Sequence, residues 1–126
     1  MSALILARRV AGAALLSAAF GSAAVAHHGW SWAEAEKTEL KGTIQKISVA
    51  PPHPTLMVAA EDGKIWQVDL GNPRQTSESG FTADSATIGD PITVLGNRTK
   101  EAGKAHMKAV RIAIAGKAYV FYPERL

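Results

Sequence analysis

The sequence predicts a mainly β chain: a small OB-like Greek-key barrel of five to six strands with one short helix, preceded by a cleavable signal peptide. Three observations predict it. Short apolar segments with a period of two recur between turns marked by glycine and proline, the pattern of half-buried strands. One helix signal, Asn72-Pro73 with a glycine stop at Gly80, interrupts the strands after the third. Three strands, a short helix, two more strands and a small terminal hairpin is the element order of an OB-like barrel. An immunoglobulin-like sandwich needs about seven strands and does not expect the helix.

Residues 1–26 read as the signal peptide. Arg8 and Arg9 precede an apolar run from Val10 to Phe20, and Ala24-Val25-Ala26 has the small-x-small spacing of a secretory cleavage site. The run is about 11 residues long, well short of the roughly 20 that a transmembrane helix needs, so no membrane span is expected in the mature chain. The arginine pair lacks the flanking residues of the twin-arginine route. General secretion is therefore expected, and a periplasmic or secreted product. Cleavage leaves 100 of the 126 residues, divided into an N-terminal arm over 27–37 and one barrel domain over 38–126.

The leader takes with it two of the 14 basic residues and none of the 11 acidic ones, so 12 basic residues face 11 acidic ones in the mature chain. A pI of about 9.4 for the whole chain thus reflects the leader in part, and nucleic acid is not an expected partner. Cysteine is absent. An exported chain of this kind has no disulfides and no thiolate metal ligands, so a packed core must stabilise it. Any metal falls to histidine, methionine, carboxylate or the amino terminus.

Within the barrel, Thr38 to Val49 is the first strand. Its apolar phase runs through Leu40, Gly42 and Ile44 and then slips to Ile47 and Val49, which predicts a bulge or sharp bend. Gly42 inside the strand marks a close backbone approach. Pro51-Pro52-His53-Pro54 breaks the strand and holds His53 in a stiff loop. Thr55 to Ala60 and Ile65 to Leu70 form a hairpin about the turn Glu61 to Lys64, with Leu56, Val58 and Ala60 opposite Trp66, Val68 and Leu70 as an inner layer. A polar helix of about two turns follows from Pro73 to Ser79, anchored by Phe81 beyond Gly80. Ile88-Gly89-Asp90-Pro91 turns into a fourth strand, Ile92 to Gly96. The polar loop Asn97 to Lys104 leads to a fifth strand, Ala105 to Ala115, where Val110, Ile112 and Ile114 alternate. Gly116-Lys117 turns the chain into a last short strand, Ala118 to Tyr122.

The chemistry concentrates at the arm. Cleavage after Ala26 frees the α-amine of His27, which can chelate a metal together with its own Nδ1, and one further imidazole completes a T-shaped nitrogen set suited to Cu(II). His28 and His53 are the candidates for that third ligand. Cleavage after Ala24 instead makes His27 the third residue, a position that also suits copper. His106-Met107 is a soft pair whose members point to opposite faces of a strand, one exposed and one packed. Trp30 and Trp32 are aromatic anchors of the arm that share a face if it is extended. Arg98, Lys100, Lys104, Lys108 and Arg111 form a basic hairpin, solvated by default. Nucleophile elbow, phosphate loop and His-Glu-x-x-His motifs are missing, so no enzyme is expected. Asp69, Asp84 and Asp90 stand where turns and strand ends explain them.

His27-His28-Gly29-Trp30, Leu40-Lys41-Gly42-Thr43-Ile44, the proline-flanked His53, Gly63-Lys64-Ile65-Trp66, Gly80-Phe81 and Ile88-Gly89-Asp90 together resemble a family of small bacterial exported proteins, domain of unknown function 6152. The resemblance covers nearly the whole mature chain and implies compartment and fold without an activity. The family's Asn-Pro-His loop reads Pro51-Pro52-His53 here. A second likeness is to periplasmic copper chaperones built on an OB barrel, whose histidine, methionine and tryptophan ligands His53, Met57 and Trp66 would imitate. Two functions are therefore expected. The first is a periplasmic carrier or buffer of a metal ion, copper, through His27, His28 and His53. The alternative is a non-metal module that engages an envelope protein or oligosaccharide through the barrel face around Trp66 and the basic hairpin.

Overall fold

A computed structural model describes residues 29–126; the signal peptide expected over 1–26 and the histidine pair His27 and His28 lie outside the described residues. The barrel belongs wholly to the compact unit 32–126. Its elements are β1 (Thr38–Ser48), β2 (Thr55–Ala60), β3 (Ile65–Asp69), α1 (Pro73–Glu78), β4 (Pro91–Arg98), β5 (His106–Ile114) and β6 (Lys117–Val120). The sheet order is β3-β2-β1-β4-β5-β6, and an additional β3–β5 pairing closes five of these strands into a barrel. The expected OB-like architecture is the observed one, with β6 as the extra strand.

β1 is long because it serves two partners. Residues 38–43 pair antiparallel with β4 and residues 42–48 with β2. The phase slip read from the sequence is a bulge: Ile44 faces Val58 and Lys46 faces Met57, leaving Gln45 as the extra residue. Gly42 lies where the strand changes partners. A Cβ there would strike the Ala59 carbonyl oxygen and come within 2.8 Å of Val58 Cγ1. Only glycine fits that approach.

The β2–β3 hairpin turns through residues 61–64 and is pinned by Asp62. One carboxylate oxygen accepts the Lys64 amide at 2.9 Å and the other the Trp66 indole N–H at 3.0 Å. These bonds, the backbone one foremost, hold the Asp62 carboxyl below its ordinary range. Leu56, Val58, Trp66, Val68 and Leu70 point into the barrel and are buried, as the alternation requires.

α1 begins where the sequence places it. Asn72 Oδ1 accepts the Gln75 amide at 2.8 Å, Pro73 occupies the first turn, and Gly80 beyond the end takes φ +86°. Phe81 is buried, edge-on to Tyr119 at 5.4 Å and to Phe121 at 6.5 Å between ring centroids. β4 extends two residues beyond the expected Gly96 and so takes up Asn97 and Arg98. Opposite it, a register shift between Leu95 and Gly96 leaves Val110 as the extra residue of β5, so Ala109 and Val110 are both buried. The freed Val110 carbonyl accepts the amides of Phe121 at 2.9 Å and Tyr122 at 3.3 Å, bringing the chain end onto the barrel.

Candidate functional site

Among the residues expected to bind metal, His53 alone is described, and it is exposed in the β1–β2 loop. His27 and His28 lie outside the described residues. No group of three His, Cys, Asp or Glu residues is placed to hold a metal ion among the described residues. The imitation of a copper chaperone by His53, Met57 and Trp66 is corrected by the pleat. Trp66 is 6% exposed inside the barrel, whereas Met57 belongs to the outward set of β2. Side chains on opposite faces of one sheet cannot share an ion. Trp66 itself therefore offers little of its ring to a partner.

The structure assembles a different group on the outer wall. β3 and β5 run parallel, with Gln67 opposite His106, Val68 opposite Met107 and Asp69 opposite Lys108. Val68 and Met107 face inward and are fully buried. The alternation therefore puts Gln67, Asp69, His106 and Lys108 outside on neighbouring strands. His106 Nε2 lies 2.8 Å from Asp69 Oδ2, and Gln67 Nε2 donates to Asp69 Oδ1 at 3.0 Å. An ionised carboxylate has no proton to give, so Nε2 donates and the tautomer of the neutral ring follows. Nδ1 is left without a hydrogen-bond partner among the described residues.

The arm covers one face of this imidazole. Trp32 lies flat on His106, with ring centroids 4.3 Å apart and planes 10° from parallel. Backbone bonds fix it there: Lys100 N donates to Trp32 O at 2.9 Å, Glu34 N to Arg98 O at 2.7 Å, and Ala33 bridges Thr99. Asn97 completes the clamp. Its buried Nδ2 donates to the carbonyls of Glu34, Ala35 and Glu36 at 2.9, 3.3 and 3.3 Å. Residues 29–32 form a turn, so Trp30 and Trp32 do not share the extended face expected of them.

Trp32, Asp69 and His106 line an open cleft of about 600 Å³ together with Thr99, Lys100, Glu101 and Lys104 of the β4–β5 loop. Lys104 pairs with Glu101 at 3.0 Å, whereas the Lys100 ammonium makes no ion pair among the described residues. The basic hairpin read from the sequence thus contributes two of its lysines to the rim. A second open cleft, of about 570 Å³, has a floor of small residues including Gly42, Ala59, Ala60 and Ala113. It gathers no comparable set of polar and aromatic side chains.

Half-buried Lys108 of β5, opposite Asp69, meets the buried Tyr122. Burial lowers the pKa of Lys108, opposed by the Asp69 carboxylate, and its ammonium stands 5.4 Å from the Tyr122 ring centroid. Burial raises the Tyr122 phenol above its ordinary value of 10.0. A raised folded-state pKa gives stability that is fully present below the unfolded pKa and is lost as pH rises through the folded one. Urea titrations through the alkaline range are expected to show that loss in the native sequence and a smaller one in Tyr122→Phe. Equal losses in both would contradict the assignment to Tyr122.

A model of the family of unknown function DUF6152 matches residues 14–108. No curated protein matches. Among solved structures, a chain of the S. pombe Stn1-ten1 complex is similar, with a TM-score of 0.53 at 16% sequence identity. The match covers 64% of this chain and 59% of that one, and at such identity it shows the fold alone.

Proposed function

We propose, for a chain that belongs to the family of unknown function DUF6152, a role as a non-catalytic ligand-binding module of the cell envelope whose site is the cleft of Trp32, Asp69 and His106. One observation carries the reading. An aromatic plane, a carboxylate-anchored imidazole and loop lysines converge on a concavity of about 600 Å³, within the size range of small-molecule sites. The envelope location rests on the leader-like sequence of residues 1–26. The site also lies beside β3 and the loop joining β4 and β5, a region through which OB barrels bind oligosaccharides and other polymers.

A panel of neutral and acidic tetrasaccharides, followed by tryptophan fluorescence, tests the reading. Binding of at least one is expected, with Trp32→Ala and His106→Ala each weakening it about tenfold or more while circular dichroism reports an intact barrel. Unchanged affinity in both variants would remove the cleft as the site.

A second reading rests on the sequence of the arm. His27-His28 follows Ala24-Val25-Ala26, so an authentic His27 terminus would chelate Cu(II) through its amine and imidazole, with His28 or His53 as the further ligand. Copper titration into protein starting at His27, and into protein with one extra residue ahead of it, separates the readings. Tight binding by the first alone supports a carrier or buffer of copper, and equal or absent binding contradicts it.

A further inference from the structure

Resting on the cleft reading, we infer that its ligand is an anionic saccharide, a hydroxyl-rich chain bearing carboxylate or phosphate groups. The inference follows from what each lining group still has to offer once its contacts within the barrel are made. His106 spends Nε2 on Asp69, so in the neutral ring Nδ1 is an acceptor, and a ligand hydroxyl is the matching donor. Asp69 already accepts one bond at each oxygen, from Gln67 and His106. Each oxygen keeps a lone pair for a further hydroxyl.

Thr99 Oγ1 accepts the Glu101 amide at 3.1 Å, which leaves the Thr99 hydroxyl proton to donate. Lys104 is neutralised by Glu101 at 3.0 Å. Lys100 is therefore the lining cation that makes no ion pair among the described residues, held at the rim because its own amide is bonded to the Trp32 carbonyl. Cation, hydroxyl donor and two kinds of acceptor lie beside the indole of Trp32, whose apolar surface suits the C–H face of a pyranose ring. A neutral sugar would leave Lys100 unmatched, and an anion without hydroxyls would leave the imidazole and carboxylate unmatched. A saccharide with acidic groups satisfies both sets.

Isothermal titration of the full chain with four probes tests this: tetragalacturonate, maltotetraose, maltose phosphate and poly-glutamate. The acidic sugars are expected to bind at least about tenfold more tightly than maltotetraose, the margin of one charge-assisted bond. Poly-glutamate is expected to bind weakly. Lys100→Gln should erase the preference for acid. A galacturonate preference over the phosphosugar assigns a carboxylate, and the reverse assigns a phosphate. Equal binding of neutral and acidic sugars, lost in Trp32→Ala, would overturn the anionic assignment and leave the cleft reading standing. Poly-glutamate binding as tight as tetragalacturonate would overturn the saccharide part. If no probe binds, or binding survives Trp32→Ala and His106→Ala, both the inference and the cleft reading fail.

Discussion

Phe121→Ala is expected to lower the unfolding free energy by about 3–5 kcal/mol, the range for emptying a large aromatic site in a packed core. Phe121 is 2% exposed and stands edge-on to Phe81, the residue that ends the α1 segment, with its own amide bonded to Val110 at the β5 bulge. Its ring therefore joins the chain end, the helix segment and the barrel wall. With no disulfide available in a sequence without cysteine, nothing covalent limits the loss. Domains of this size are stable by only about 5–15 kcal/mol, so the variant should unfold at much lower urea than the native chain with an unchanged slope. A loss below about 1 kcal/mol would show that the site collapses around the missing ring or was never tightly packed.

Asn97→Asp keeps the shape of the side chain and reverses its chemistry. The amide nitrogen that serves three carbonyls becomes an oxygen facing them, in a side chain only 4% exposed. An ionised group there is unpaired as well as repelled, and we expect a loss of about 3–5 kcal/mol at neutral pH. Protonation relieves it, so the introduced carboxyl should titrate above the ordinary carboxylate value of about 3.9. The sign follows: the defect is smallest in acid and deepens as pH rises through that raised pKa. Asn97→Ala should cost less, about 1–3 kcal/mol, without that pH dependence. Thermal unfolding of both variants across pH checks this, and a flat profile for Asn97→Asp would contradict the clamp. Because only Ala33 separates Trp32 from residues 34–36, loosening them should also free the indole from His106.

Much of the barrel is legible in the residues because local rules and tertiary packing agree there. The slip from Ile44 to Ile47 is the bulge at Gln45, Gly42 is the tight approach to Ala59, and Asn72-Pro73 with Gly80 delimits α1. That His106 faces outward and Met107 inward also follows from alternation, although Trp32 leaves His106 half-buried instead of exposed. What periodicity does not carry is which strands meet at closure. Asp69 and His106 are 37 residues apart in sequence, and the parallel β3–β5 pairing that makes them neighbours is a non-local contact. Asp69 taken singly explains itself as a strand-end residue. Asn97 reads as loop because asparagine is poor in strands; it is held in β4 by the arm carbonyls that need its amide. Trp32 carried the best available signal, an aromatic in a polar segment, yet its partner is not written near it. The copper ligands read from the arm depend on His27 and His28, and there the sequence is the support.

The measurement closest to the central claim is a nitrogen–proton NMR titration of the full chain with tetragalacturonate. Shifts are expected to concentrate at the Trp32 indole, Asp69, Thr99 to Lys104 and His106, and to vanish in Trp32→Ala. Shifts centred on the other cleft, over Gly42, Ala59 and Ala113, or shifts that persist in Trp32→Ala, would contradict it.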